Sequence, residues 1–185
     1  MATADRIKWN EKYRQKLQER LCPPPPNETL LGIVSSYLTG GSCLDLACGL
    51  GGNSFYLAKH GYQVTAVDVS DVALDFIQEK ATDHGLSILT QQQDLDQIQL
   101  QEEAYDLVIV TYFLDRKLFP SLKQAVKKEG LLFMETFYQE DHAPPEMNPA
   151  FKLKTDELRT EFDDWSILYW NQAKGIQSIL GRKPH

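Results

Sequence analysis

DLACGLGGN, residues 45–53, decides the fold. The short apolar run Cys43 to Ala47 leads into a glycine bend, and a helical pattern runs from about Asn53 to His60, closed by Gly61. That order reads as strand, tight turn, helix. Gly49 and Gly51 remove side chains where the backbone turns sharply, so a ligand can touch the main chain. The first helical amides point into the same space. A dinucleotide fingerprint needs a third glycine where this chain has Ser54, and no Gly-Lys-Ser/Thr follows to make a phosphate loop. What distinguishes the bend is the acid before it. Asp45 can face a cationic amine rather than a pyrophosphate; the alternative is an ordinary tight turn.

Downstream the same unit repeats. Gln63 to Asp68 (QVTAVD) is a strand, and Ser70 or Asp71 caps a helix through Ala73, Leu74, Ile77 and Ala81, closed by Gly85. Leu86 to Thr90 is a third strand and Tyr105 to Thr111 (YDLVIVT) a fourth, whose continuous apolar run suits burial on both faces. A helix is expected over Leu118 to Lys127, and a fifth strand over Gly130 to Phe137 (GLLFMETF). A polar, proline-bearing loop then runs to Pro149. It precedes a helix around Thr155 to Phe162 and two strands, Trp165 to Tyr169 and Gly175 to Gly181, close enough to pair antiparallel. The predicted fold is α/β: a Rossmann-like, doubly wound, mostly parallel sheet of about seven strands with a C-terminal antiparallel hairpin.

Upstream, Asp5 to Arg20 reads as a charged helix with Trp9 and Tyr13 on one face. Pro23 to Pro26 form a stiff connector, and Asn27 caps a helix through Leu30, Leu31, Val34 and Leu38, ended by Gly40-Gly41. The whole chain, residues 1–185, is expected to be one domain, with residues 1–40 a helical cap and residues 42–185 the core.

Composition narrows the function classes. The chain has 185 residues, 42% hydrophobic and 24% charged, with 26 acidic against 19 basic side chains and a net charge of -7. An acidic surface repels phosphate backbones and anionic lipids, so neither nucleic acid nor membrane is an expected partner. Three cysteines, Cys22, Cys43 and Cys48, lack metal-ligand spacing and read as reduced thiols, with no metal expected. The charged N-terminus does not read as a signal peptide and no apolar run reaches spanning length, so a cytoplasmic location is expected.

Three strand ends carry an acid where open parallel sheets hold ligands. After Asp45 comes Asp68, about 17 residues beyond Gly51 and close to the ~20 typical of an acid that accepts from ribose hydroxyls. The alternative there is a solvated strand-end aspartate capping the next helix. Asp94, in Gln93-Asp94-Leu95-Asp96, can accept from an exocyclic adenine amine while the next amide donates to the ring; a polar turn is the plainer reading. His60, His84 and His142 read as structural or solvated, and Glu135 lies within the fifth strand with its face open.

The series resembles class I S-adenosylmethionine-dependent methyltransferases, and within them the TehB-like, tellurite-resistance-type branch. The stretches that carry the likeness are WNEKY (9–13), DLACGLGGN, VTAVDVS, YDLVIVTYFLDR, GLLFMETF and the tail Asn148 to Leu153 with Glu157-Leu158. The resemblance implies S-adenosylmethionine as cofactor and S-adenosylhomocysteine as product. Asp45 would lie near the methionyl ammonium, with Ala47, the Gly49–Gly51 backbone and Asn53 along the amino-acid portion. Asp68 would hold the ribose, Val69 pack on the adenine, and Asp94 with the Leu95 amide read its edge. Thr111 and Tyr112 would line the space near the sulfonium, and Trp9 and Tyr13 form an N-terminal lid or simply pack.

The partner implied is a small-molecule acceptor, a thiol or a chalcogen oxyanion such as tellurite or selenite. Many relatives carry histidine where this chain has Asp115, which could act as base, orient the acceptor or cap the next helix. Arg116 would contact an anionic acceptor or stand solvated beside it. A cofactor-binding regulator without turnover is the competing reading. A nicotinamide oxidoreductase is disfavoured by Ser54 and by the lack of a substrate domain after the fifth strand.

Overall fold

Runs rich in Val, Ile and Leu alternate with helices that carry one apolar stripe, and such elements bury their apolar faces only by layering. The computed structural model describes residues 2–139 and 148–185, and these divide into two compact units, Met1–Gln99 and Leu100–His185.

The first unit contains α1 (Ala2–Glu19), α2 (Glu28–Gly32), β1 (Gly41–Leu46), α3 (Gly52–Lys59), β2 (Tyr62–Asp68), α4 (Asp71–Asp83) and β3 (Ile88–Gln92). β2 pairs in parallel with β1 on one side and β3 on the other. Ser70 caps α4, its hydroxyl accepting from the Ala73 amide at 3.2 Å. The buried positions Ala73, Leu74, Phe76, Ile77 and Ala81 recur at helical spacing and lay α4 on the core. Most of α1 is polar and an isolated helix of its length is marginal in water, so its order comes from docking. Tyr13 packs with Leu50, Ala73 and Phe76, flanked by Trp9, Leu17 and Val72. Asn10, buried beneath the same helix, accepts from the Ser70 hydroxyl at 2.6 Å and donates to Asp71 at 2.7 Å.

The second unit contains β4 (Tyr105–Thr111), α5 (Phe119–Ala125), β5 (Val126–Phe137), α6 (Glu157–Glu161), β6 (Ser166–Ala173) and β7 (Ile176–Arg182). β4 and β5 are parallel; β7 runs antiparallel to both β5 and β6. Leu107 to Val110 are all fully buried, as their unbroken apolar run requires. Phe162 sits between Phe119 and Trp165 in edge-on contacts with centroids 6.2 Å and 5.4 Å away. Among the described residues the seven strands follow the order 3-2-1-4-5-7-6, the expected mixed sheet with its closing hairpin.

Three expectations need correction. The helix expected over Leu118 to Lys127 stops at Ala125, and β5 starts at Val126 rather than Gly130. Val126 is buried opposite Tyr105, and Lys127 is held by Asp106 at 2.9 Å, so tertiary pairing overrides the local helical pattern. The helix expected from Asn27 through Leu38 breaks after Gly32 into a 3-10 turn, Val34–Tyr37. There the Ser35 hydroxyl bonds back to the Leu31 carbonyl at 2.6 Å. The third strand slides two residues, to Ile88–Gln92. His142 lies outside the described residues, and no helix among them is long and apolar enough to cross a membrane.

Phe133, with no exposed surface, should be a cornerstone of the second unit. Phe133→Ala is expected to lower unfolding free energy by about 3–5 kcal/mol in urea titrations; a loss below about 1 kcal/mol would show that its neighbours collapse into the gap.

Candidate functional site

Asp45 is the penultimate residue of β1, in its buried half, and is 1% exposed. Its Oδ2 accepts from the Ser54 hydroxyl at 2.6 Å, while its Oδ1 is buried with no hydrogen-bond partner. An ionised carboxylate in that setting carries a desolvation cost. Burial, opposed by the Ser54 bond and reinforced by the charge of Asp68, pushes its pKa up to about 7. The thiols of Cys43 and Cys48 face the same acid and are themselves held well above the ordinary thiol range, mainly by burial. Ser54, the residue that rules out a dinucleotide fingerprint, is the one that steadies Asp45.

The bend after β1 is left-handed at Ala47 (φ +57°), Gly49 (φ +54°) and Gly51 (φ +79°). A Cβ at Gly51 would come within 2.8 Å of Ile77, and one at Gly49 within 3.0 Å of the Tyr13 hydroxyl. Both glycines are therefore required by backbone conformation and by close approach. Tyr13 sits on the bend, stacked with Trp9 at 5.7 Å between centroids. Burial, with the charge of Asp68, raises the Tyr13 pKa. Asn53, in the first turn of α3, accepts from the Asn27 amide at 2.9 Å and so ties the proline connector to the bend.

Asp68, 5% exposed at the end of β2, holds the bend from the other side. Its Oδ2 accepts from the Gly49 amide and its Oδ1 from the Ser70 amide, each at 2.9 Å. Burial raises its pKa, and the amides of Ser70, Gly49 and Val69 partly restrain the rise. Asp94 follows β3 and accepts from the Asp96 amide at 3.1 Å, capping the short turn Leu95–Gln97 whose Leu95 is buried. Val69, Gln92, Gln93 and Asp94 line one cavity with Thr3 and Arg6 of α1, about 190 Å³ in volume. The structure thus gathers Asp45, Asp68 and Asp94 at the carboxyl ends of three adjacent parallel strands, with the glycine bend beside the first two.

In the second unit, Thr111 ends β4 and Tyr112 follows it at φ +55°, 53% exposed. Such a conformation costs a bulky residue about 1–3 kcal/mol. Asp115 caps the turn Arg116–Leu118, accepting from the Lys117 amide at 3.0 Å. Arg116 forks onto Glu157, with Nε 2.5 Å from Oε1 and Nη2 2.8 Å from Oε2. It also donates to the carbonyls of Ala150 and Lys152 at 3.0 Å and 2.8 Å. Both residues therefore hold local structure, the capping alternative in the case of Asp115. Sequence patterns do not reveal Glu157 as the partner of Arg116, Asn10 as the bolt under α1, or the inward face of Glu135.

Comparison with known proteins identifies the family and the fold. The family described as "Tellurite resistance protein TehB" matches residues 31–178. A relative in Haemophilus influenzae, named "Probable S-adenosyl-L-methionine-dependent methyltransferase TehB", is 31% identical over 139 residues, covering 71% of this chain and 48% of its own length. "Putative methyltransferase YqeM" of Bacillus subtilis is 32% identical over 176 residues, covering 83% of this chain and 70% of its own. The crystal structure of TehB from Haemophilus influenzae superposes with a TM-score of 0.75 at 25% identity, over 81% of this chain and 60% of that one. The fold is the class I methyltransferase fold. The chain spans about half the length of the Haemophilus relative.

The first unit fits the cofactor such proteins are named for. Asp45 Oδ1 is an unpaired anionic acceptor suited to an ammonium group, and no pyrophosphate would be welcome beside two buried acids. A pH signature follows for the protein without ligand. An acid whose folded pKa exceeds its unfolded value binds more protons when folded, so stability falls as pH rises between the two. For Asp45 that window runs from 3.8 to about 7. Asp45→Asn is expected to flatten the decline, by at most about 1.4 kcal/mol per pH unit, in urea titrations across the window. An unchanged slope would assign the titration to another group.

Proposed function

The chain belongs to the TehB family, and from that premise we propose that it transfers a methyl group from S-adenosylmethionine to a small-molecule acceptor, releasing S-adenosylhomocysteine. The observation that carries this reading is the orphaned Oδ1 of Asp45, buried beside a glycine bend whose Gly49 amide donates to Asp68.

In this reading Asp45 receives the methionyl ammonium, with Ala47, the Gly49–Gly51 backbone and Asn53 along the same chain of the ligand. Asp68 accepts from the ribose hydroxyls with the lone pairs its two amide bonds leave. Val69 packs on the adenine, and Asp94 with the Leu95 amide meets its edge. Trp9 and Tyr13 cover the bend from α1. Once bound, the sulfonium supplies an activated methyl group and the driving force for its transfer. The chain's own task is to orient the nucleophile and exclude water, worth roughly 7–11 kcal/mol. A thiolate or a chalcogen anion needs no general base, which suits a chain in which Asp115 and Arg116 are both engaged in local contacts. The same engagement favours a second reading, a cofactor-binding regulator without turnover.

Calorimetry tests the first step. S-adenosylhomocysteine is expected to bind in the micromolar range while NAD gives no heat. Asp68→Ala should weaken binding by about tenfold or more, the loss of charged hydrogen bonds, and Asp115→Ala should leave it within about twofold. Loss of binding in Asp115→Ala, with circular dichroism unchanged, would contradict this division of roles. Appearance of S-adenosylhomocysteine over a panel of thiols, selenite and tellurite separates the enzyme from the regulator.

A further inference from the structure

A second cavity, about 240 Å³ in volume, lies in the first unit where the proline connector meets α3 and the end of α4. None of Asp45, Asp68 and Asp94 lines it. Pro23, Pro24 and Pro26 supply apolar walls, and Phe55, Tyr56 and Leu86 add to them.

These walls are set before any ligand arrives. Gly52 lets the connector lie against α3, since a Cβ there would come within 2.7 Å of the Pro25 carbonyl and 3.0 Å of that of Pro24. The Asn27 amide pins the end of the connector to Asn53 at 2.9 Å. The Tyr56 ring rests against that of His60, with centroids 4.2 Å apart. Proline has little backbone freedom to lose, so an occupant meets a preorganised surface and pays little for ordering it.

Charge and size narrow the occupant. The chain carries a net charge of -7, yet no lining residue is acidic. Lys59, exposed at the end of α3, has no ion-pair partner among the described residues. His84, the other basic residue there, donates from Nδ1 to the Lys80 carbonyl at 2.8 Å as the cap of α4, because a carbonyl only accepts. Lys59 therefore supplies the permanent charge. A cavity of about 150 Å³ holds benzene, while drug-sized ligands fill about 300 Å³ or more. One ring with a short acidic arm fits; a nucleoside does not.

We propose that this cavity is a second small-molecule site, separate from the cofactor site, that takes a monocyclic aromatic carboxylate. The ring lies among the prolines, Phe55 and Tyr56, and the carboxylate meets Lys59. Such a site stands whether or not the chain transfers methyl groups.

The test is titration of phenylacetate, phenethyl alcohol and acetate into the full chain, followed by amide chemical shifts in NMR spectra. Phenylacetate moves the amides of Phe55, Tyr56, Lys59 and Leu86 and leaves those of Gly49, Asp68 and Asp94 in place. It binds about three- to fivefold more tightly than the neutral alcohol, the scale of one exposed ion pair. Acetate, which lacks the ring, binds at least about tenfold more weakly than phenylacetate. Lys59→Gln removes the preference for the acid over the alcohol and Lys59→Glu reverses it. The alcohol keeps its affinity within about twofold in both, which separates lost charge from lost folding. Saturating S-adenosylhomocysteine leaves phenylacetate bound. No saturable shift at the four amides, acetate binding as tightly as phenylacetate, a preference unmoved in both Lys59 variants, or displacement by S-adenosylhomocysteine overturns the proposal.

Discussion

Two carboxylates buried on neighbouring strands are the constraint around which the first unit is arranged. Like charges removed from water raise each other's cost of ionisation. Asp68 meets that cost by accepting from the Gly49 and Ser70 amides. Those bonds fix the turn after β1 and the entry into α4 together. Asp45 meets it only in part, through Ser54, and keeps one oxygen unpaired. A site left incomplete in that way has a preference built in: it gains most from a cation that arrives with hydrogen-bond donors.

Several further features follow from the same bend. The left-handed backbone at Gly49 and Gly51 allows Tyr13 and Ile77 to come close, which lets α1 and α4 pack on the turn. Asn10 then links α1 to the cap of α4 through Ser70 and Asp71. The ring of contacts joins the bend, the second strand's acid, the cap and the N-terminal helix into one local structure. In the second unit the comparable feature is Glu135, buried and accepting from the hydroxyls of Tyr112 and Ser178.

Most of the fold was legible because it is written in local patterns. The YDLVIVT run, the caps at Asn27 and Ser70 and the glycine stops give element type and order directly. The places where that reading fails are those decided at a distance. Val126 and Lys127 look helical but are claimed by contacts with β4. The acids at the three strand ends were legible because strand direction in a parallel sheet sends their ends to one edge. Glu135 was not, since a strand buried on both faces shows no alternation from which to read its side. The partner of Arg116 was hidden for a similar reason. Glu157 is 41 residues away, and no spacing rule connects them.

The central claim, that Asp45 is the seat of a ligand's ammonium group, is tested most directly by counting protons. Asp45 is half-ionised near pH 7 in the free protein, and an ammonium beside it favours the carboxylate. S-adenosylhomocysteine binding, measured calorimetrically at about pH 6.5 in buffers of different ionisation enthalpy, should release a substantial fraction of a proton from the wild-type protein and none from Asp45→Asn. Binding that releases no proton from either, or the same number from both, would contradict the account.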